Sequence, residues 1–261
     1  MGKNTDNFKI GLALGSGGAK GMAHLGALKV FEEEGISFDV VAGTSIGSIV
    51  GALYAKGYSS DDMKALLGEI MLGDVQMSLM LALGMIDLVE MINKFTGGAH
   101  FSDLKKPFKA ISVDINEGKE IVLDEGELAP ALAASSAIFP FPPINLKGRK
   151  LIDGAFLNCV PSDVVKDMGA EVVIAINLGK GEETNQGIKR ALDEFYPNNN
   201  VPLVDRSKQC YKHSDLVIEP DLSQYSSSSL RSLEQMYVIG YEATKEKIQE
   251  IKRIISNKRK G

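Results

Sequence analysis

The sequence predicts an α/β protein: a three-layer α/β/α arrangement around a central, mostly parallel sheet. Three observations carry that expectation. The chain opens in the order strand, turn, helix, strand, turn, helix, which is the alternation that builds parallel sheets. A later run, residues 171–178, is almost continuously apolar and β-branched, as a strand covered on both faces must be. Apolar residues make up 44% and charged residues 24% of the 261, the balance of an ordinary globular chain with an ample core.

Taken in order, residues 8–14 read as a buried strand, followed by the glycine-rich turn Gly15-Ser16-Gly17-Gly18-Ala19-Lys20-Gly21. Residues 22–34 have helical spacing, with Met22, Leu25, Leu28, Val30 and Phe31 facing a core and Gly35 as a natural stop. A second apolar run, 38–42, leads to a turn around Ser45, and residues 48–56 continue as a helix that ends at Gly57. The stretch 63–95 is richer in methionine: Met63, Met71, Met77, Met80, Met85 and Met91. Its longest nearly pure apolar run, 77–86, is about half of the ~20 residues a membrane-spanning helix needs. Two readings stay open for 63–95, a pair of core helices or a Met-rich cap that adapts to varied apolar ligands.

Residues 109–116 and 119–123 alternate as a hairpin about Asn116-Glu117-Gly118, and 127–135 form an alanine-rich helix. Pro140, Pro142 and Pro143 force an extended or turning path before Leu151-Ile152 runs into Asp153-Gly154-Ala155. Residues 160–168 read as a helix, 179–200 as a polar, loop-like stretch and 216–219 as the last strand. Residues 230–260 read as a helix with Ile248, Ile251, Ile254 and Ile255 on one side. With no long linker and no repeat, residues 1–261 are expected to form one domain, with a core over about 8–243 and a basic helix over 244–261.

With 29 basic and 34 acidic residues the formal net charge is −5, which points away from wholesale nucleic-acid binding. The polar N-terminus shows no secretory h-region, and Cys159 and Cys210 form no Cys-x-x-Cys pair. A cytoplasmic protein with reduced, buried cysteines is the expectation. The cluster Lys252-Arg253 and Lys258-Arg259-Lys260 reads either as a solvated helix end suited to its dipole or as a contact for anionic headgroups, at up to ~1 kcal/mol per basic residue. Together with 63–95 it is the candidate for peripheral membrane contact.

The chemistry is concentrated in three short motifs. Gly43-Thr44-Ser45-Ile46-Gly47 has the form Gly-x-Ser-x-Gly between a strand and a helix, a tight turn that projects a serine Oγ away from the backbone. The earlier glycine turn fails as a dinucleotide loop, because Lys20 stands where the third glycine belongs, and as a P-loop, because Lys20 follows Ala19 and precedes Gly21. It fits an oxyanion hole: Gly17 and Gly18 at a helix start expose backbone N–H groups, and losing one such donor typically costs ~3–4 kcal/mol of transition-state stabilisation. For the base that a serine nucleophile needs, there are three histidines and one well-placed carboxylate. His24 falls in the first helix and reads as a packing residue. His100 has no obvious partner. His213 keeps the chain order Ser45, Asp153, His213 of a hydrolase triad but sits in a polar segment. Asp153 ends an apolar run ahead of Gly154 and serves equally as a turn former.

These three motifs, in this order, resemble those of the bacterial patatin-like phospholipases, and the resemblance runs from Ile10 to about Ala243. Residues 15–21 resemble the family's oxyanion loop with Lys20 at its Arg/Lys place, 43–47 its nucleophile elbow, and 153–155 its Asp-Gly-Gly/Ala motif. Phe101-Ser102-Asp103-Leu104, Pro107-Phe108 and Ala134-Ser135-Ser136-Ala137-Ile138 are also similar to the family. The resemblance implies a patatin-like fold and a Ser–Asp dyad hydrolysing lipid acyl esters without metal or cofactor. It implies Ser45 as nucleophile, Asp153 as base, and Gly17 and Gly18 as oxyanion donors. Ile138-Phe139-Pro140-Phe141-Pro142-Pro143 departs from the family's Ile-Pro-Gly pattern at the pocket wall. The lipid and the oligomeric state are not specified by these residues.

Overall fold

The computed structural model describes residues 8–72, 87–179, 185–202, 204, 209–228 and 230–260. Strand β1 (Ile10–Leu14) connects through α1 (Met22–Glu33) to β2 (Val40–Thr44), which lies parallel beside it with Leu14 opposite Gly43. Helix α2 (Ile46–Lys56) begins directly at the end of β2 and stops where Gly57 turns left-handed, φ 99°. Helices α3 (Ser60–Leu72) and α4 (Leu88–Thr96) follow, then the antiparallel pair β3 (Phe108–Asp114) and β4 (Lys119–Leu123), then α5 (Leu128–Ser136). A second hairpin, β5 (Ile144–Leu146) and β6 (Arg149–Asp153), closes through Lys147 and Gly148 at φ 50° and 77°, the double positive φ of a two-residue hairpin turn. The rest is α6 (Ser162–Asp167), β7 (Val172–Ile176), α7 (Asn185–Phe195), α8 (Gln209–His213), β8 (Leu216–Ile218) and the long α9 (Leu233–Lys260).

The described strands form one sheet along the hydrogen-bonded path β5-β6-β3-β2-β1-β7-β8, with β4 also on β3. The pairs β1–β2, β1–β7, β2–β3 and β7–β8 are parallel. Alternation of side chains along each strand divides the core into two layers. On β1 and β7, Leu12, Leu14, Val172, Ile174 and Ile176 join the cluster that α1, α2 and α9 cover. Ala13, Val173 and Ala175 face the opposite way, onto Val164 and Val165 of α6. Both faces are therefore covered, and the expected α/β/α layering with a mostly parallel centre holds.

Helix α9 docks on α1 by direct backbone approach. A Cβ on Gly26 would lie 2.0 Å from the Tyr237 carbonyl oxygen, and one on Gly240 would lie 2.1 Å from that of Ala23. Glu34, just past α1, receives Lys245 and Lys252 at 2.8 and 2.7 Å, and these two bonds hold its carboxyl down to about 2. The helix runs unbroken through residue 244, and Ile248 and Ile251 are core residues. Part of the basic tail is engaged within the fold: Lys258 pairs with Asp215 at 2.9 Å, and Arg259 lies over the Phe8 ring.

Two segments differ from the sequence expectation. Residues 179–200, read as loop, contain α7. Its few apolar residues, Ile188, Leu192 and Phe195, recur at three- and four-residue spacing in a polar background, so overall polarity hid a genuine helical stripe. Strand β5 was absorbed into the proline-rich path; it is three residues long and pairs with β6 alone, too short for a pattern of its own. Within 63–95, Met63, Ile92 and Phe95 are buried in the main core, as a pair of core helices requires. The run 77–86, on which the cap reading rests, lies outside the described residues. Among the described residues no helix is long and apolar enough to cross a membrane.

Candidate active site

Ser45 stands at the joint between β2 and α2 with φ 55° and ψ −128°, a region L-residues rarely occupy. The elbow is held from both sides. The Ser45 N–H donates to Ser135 Oγ at 3.0 Å, and the Ser45 carbonyl accepts from Ser48 Oγ at 2.7 Å and from the Ser48 N–H at 2.8 Å. The glycines on either side are required by contact: a Cβ on Gly43 would lie 2.2 Å from the Gly47 carbonyl oxygen, and one on Gly47 would lie 2.2 Å from that of Leu14. Ser45 itself is half-buried, and the N-terminal end of α2 directs partial positive charge at it.

The glycine turn lies beside this elbow because β1 and β2 are parallel and end level with each other. The contact is close: a Cβ on Gly21 would fall 2.2 Å from Ile46 Cγ1. Most of the turn's N–H groups are occupied. Gly15 donates to Ile176, Ser16 to Cys159, Ala19 to Ser227 and Lys20 to Gly17, at 3.0, 2.9, 2.7 and 3.1 Å. Between Gly15 and Lys20 this leaves, among the described residues, the Gly17 and Gly18 N–H groups without a backbone acceptor of that kind. Gly18 adopts φ 55°, and a side chain there would collide with the Ser227 carbonyl oxygen, 2.4 Å from its Cβ position.

His24 is part of this scaffold. It is fully buried on α1, with Nε2 2.7 Å from the Gly15 carbonyl. A carbonyl only accepts, so Nε2 carries a proton. Burial lowers its pKa to about 4 against the opposing pull of that hydrogen bond.

Asp153 reaches the elbow through strand pairing. β4 pairs with β3 over residues 110–114, β2 over 108–111 and β6 over 112–114. A strand has two edges, so β4 fills one and β2 and β6 divide the other, meeting end to end. Thr44 is opposite Ile111 and Asp153 is opposite Ser112, adjacent residues on one strand, whose rise is about 3.4 Å. The junction is bonded across: Ser112 Oγ donates to the Ile152 carbonyl at 2.7 Å, and Thr44 Oγ1 to the Asn158 carbonyl at 2.9 Å. Gly154 passes so close that a Cβ would lie 2.4 Å from the Ile111 carbonyl oxygen. Asp153 is 2% exposed, and its Oδ1 accepts the Ala155 N–H at 2.8 Å. Tyr196, just after α7, has its phenol pushed up to about 12, first by burial and then by the negative charge of Asp153.

The other histidines lie elsewhere. His213 precedes β8 and His100 precedes β3, so both belong to the end of the parallel sheet opposite Ser45. Among the described residues no group of three or more His, Cys, Asp or Glu side chains is placed to hold a metal. Sequence reading missed the roles of Ser135, Asn158 and Ser227 in bracing the elbow and the glycine turn. Ser135 falls within a motif already noted, whereas Asn158 and Ser227 act through their backbone carbonyls, which leave no side-chain signal.

The model for patatin-like phospholipases matches residues 12–166. A patatin-like phospholipase domain-containing protein of Caenorhabditis elegans is 37% identical over 192 residues, 67% of this chain and 14% of that protein. Patatin-like phospholipase domain-containing protein 6 of Homo sapiens is 35% identical over the same length, with the same coverage. A lysophospholipase of Coccidioides immitis is 26% identical over 284 residues, 93% of this chain and 18% of its own length. The chain thus spans less than a fifth of these relatives. Among solved structures, VipD from Legionella pneumophila superposes with a TM-score of 0.58 at 13% identity, covering 94% of this chain and 67% of that one. The type III effector ExoU gives 0.51 at 14% identity, covering 94% and 53%. The two structures share the fold, and the family match, which extends over more than half of the sequence, supplies the identification: the chain belongs to the patatin-like phospholipase family.

Proposed function

We propose that this chain is a serine lipid acyl hydrolase of phospholipase A or lysophospholipase type, working through a Ser45–Asp153 dyad. The observation that supports the reading is the shared edge of β3, where β2 ends with Thr44, the residue before Ser45, opposite Ile111, and β6 ends with Asp153 opposite Ser112. The family membership and the lysophospholipase name of the fungal relative support the substrate class.

In the first half-reaction, Ser45 Oγ attacks the ester carbonyl carbon as its proton passes to the Asp153 carboxylate. The carbonyl oxygen becomes an oxyanion and takes hydrogen bonds from the Gly17 and Gly18 N–H groups, fixed in place before the charge develops. Collapse breaks the bond to the alcohol or lysolipid oxygen, which leaves with the proton from Asp153, and Ser45 is acylated. In the second half, water gives a proton to Asp153 and attacks the acyl carbon. The fatty acid departs and the proton returns to Ser45 Oγ. The strained Ser45 backbone aims the hydroxyl at the substrate, and the α2 dipole assists the forming charge. Asp153 acts alone as base in this scheme, since His213 and His100 are at the far end of the sheet.

The test compares wild type with Ser45→Ala, Asp153→Asn and His213→Ala on phosphatidylcholine, lysophosphatidylcholine and a p-nitrophenyl ester, with fluorophosphonate labelling alongside. The expectation is a loss of about 10³-fold or more for the first two variants, retention of activity in the third, and labelling that requires Ser45. Abolition of turnover by His213→Ala in a folded protein would overturn the dyad. Acyl transfer to an added lysolipid in preference to water would assign an acyltransferase, and absence of both turnover and labelling would leave a silent binding protein on this scaffold.

A further inference from the structure

Ile138, Phe139 and Phe195 are 46%, 54% and 40% exposed, large apolar side chains left in water by a fold that buries such residues elsewhere. They form a structured patch. The rings of Phe139 and Phe195 stack with centroids 3.8 Å apart and planes 11° from parallel. Phe139 belongs to a segment stiffened by Pro140, Pro142 and Pro143, and Phe195 is the last residue of α7. The other exposed large apolar side chains among the described residues, Val122, Tyr211 and Val238, stand on three separate elements.

The patch is continuous with the candidate active site. Ala137, immediately before Ile138, accepts the Asp153 N–H through its carbonyl at 3.0 Å, and Ser135 holds the Ser45 N–H. On the other side, Tyr196 follows Phe195 and feels the charge of Asp153. On the Phe139 side the chain is uncharged, since residues 128–146 contain no Asp, Glu, Lys, Arg or His, whereas the acids Asp193 and Glu194 precede Phe195. A rigid aromatic rim beside an ester-cleaving centre, with acids rather than bases on its Phe195 side, suits the acyl surface of an uncharged lipid aggregate, where aromatic rings settle at the boundary between headgroup and chain.

We propose that Ile138, Phe139 and Phe195 form the surface by which this chain docks onto uncharged or zwitterionic lipid, with the stacked Phe139–Phe195 pair entering the interface next to Ser45 and Asp153. The proposal rests on the lipid hydrolase reading of that site. It differs from headgroup attraction by the basic C-terminal helix, because it predicts binding without anionic lipid.

The test uses the full chain carrying Ser45→Ala, so that the vesicles stay intact, and measures co-sedimentation with phosphatidylcholine vesicles. Adding Phe139→Ser and Phe195→Ser is expected to lower the partition coefficient about tenfold or more, whereas Val238→Ser leaves it unchanged. Phe139→Ser alone, confined to a surface segment, covers the case in which the double variant does not fold, with an expected loss of about threefold. On the Ser45 protein, the double change should lower the hydrolysis rate on vesicles far more than on a monomeric p-nitrophenyl ester. Unchanged binding by the variants, or an equal loss in Val238→Ser, overturns the proposal. So does an equal loss on both substrates, which would place the rings inside the acyl pocket. A wild-type dimer that the double variant dissociates also overturns it, by making a second copy the occupant. The two readings fail separately: vesicle binding without any ester cleavage defeats the hydrolase, and cleavage of soluble ester without vesicle binding defeats the docking surface.

Discussion

Acidification should weaken this fold through His24. The imidazole is fully buried and its pKa falls from 6.5 to about 4 on folding, so the native state resists a proton that the unfolded chain accepts. Because the folded pKa is the lower one, the unfolded state binds more protons between pH 6.5 and 4, and stability rises with pH across that window. Two and a half pKa units correspond to about 3 kcal/mol in total at 25 °C. Between pH 7.5 and 5.0 the loss is about 2 kcal/mol, since at pH 5.0 unfolded histidine is almost fully charged and His24 in the fold almost wholly neutral. His24→Gln removes the titration and keeps an N–H donor for the Gly15 carbonyl. Urea unfolding of both proteins at the two pH values isolates the contribution, because the carboxylates are common to both chains. Wild type should lose about 2 kcal/mol more than the variant. Equal losses would refute the reasoning, and with it the picture of a neutral His24 bonded to Gly15.

Two further perturbations test the bracing of the elbow. Ser135→Ala leaves the Ser45 N–H without its 3.0 Å acceptor, which should cost about 1–3 kcal/mol in urea unfolding and lower kcat on a soluble ester more than it changes KM. Gly47→Ala puts a methyl 2.2 Å from the Leu14 carbonyl oxygen and 2.6 Å from that of Gly15, backbone that cannot move without shifting the glycine turn. The expected result is a destabilisation of about 1–3 kcal/mol, read as a lowered Tm, with fluorophosphonate labelling of Ser45 strongly slowed.

Local chemistry made much of this protein readable from its letters. Strands β1 and β7 are apolar on both faces, so they sit in the middle of a covered sheet. The glycines at 15–21 and 43–47 mark tight turns, and the close approach of backbone at Gly18, Gly43 and Gly47 and of the Ile46 side chain at Gly21 is the reason no larger residue stands there. Helix α7 escaped because an amphipathic helix with a narrow stripe differs little in composition from a loop. The strand β5 escaped because three residues have no period to detect.

What separates the two candidate bases in space is of another kind. Asp153 and His213 are both plausible partners for Ser45 by residue type and chain order, and they are 108 and 168 residues away from it in sequence. Strand pairing separates them: β6 runs antiparallel onto the free half of the β3 edge and brings Asp153 to the end of β2, while β8 runs parallel to β7 and leaves His213 at the opposite end. The exposed stack of Phe139 on Phe195 likewise joins a proline-rich segment to the end of a helix more than fifty residues later. A sequence states which groups a chain owns and which turns it can make, because those depend on neighbours one to four residues apart. Which of those groups meet depends on long-range pairing of edges and faces, and that is settled only when the sheet closes.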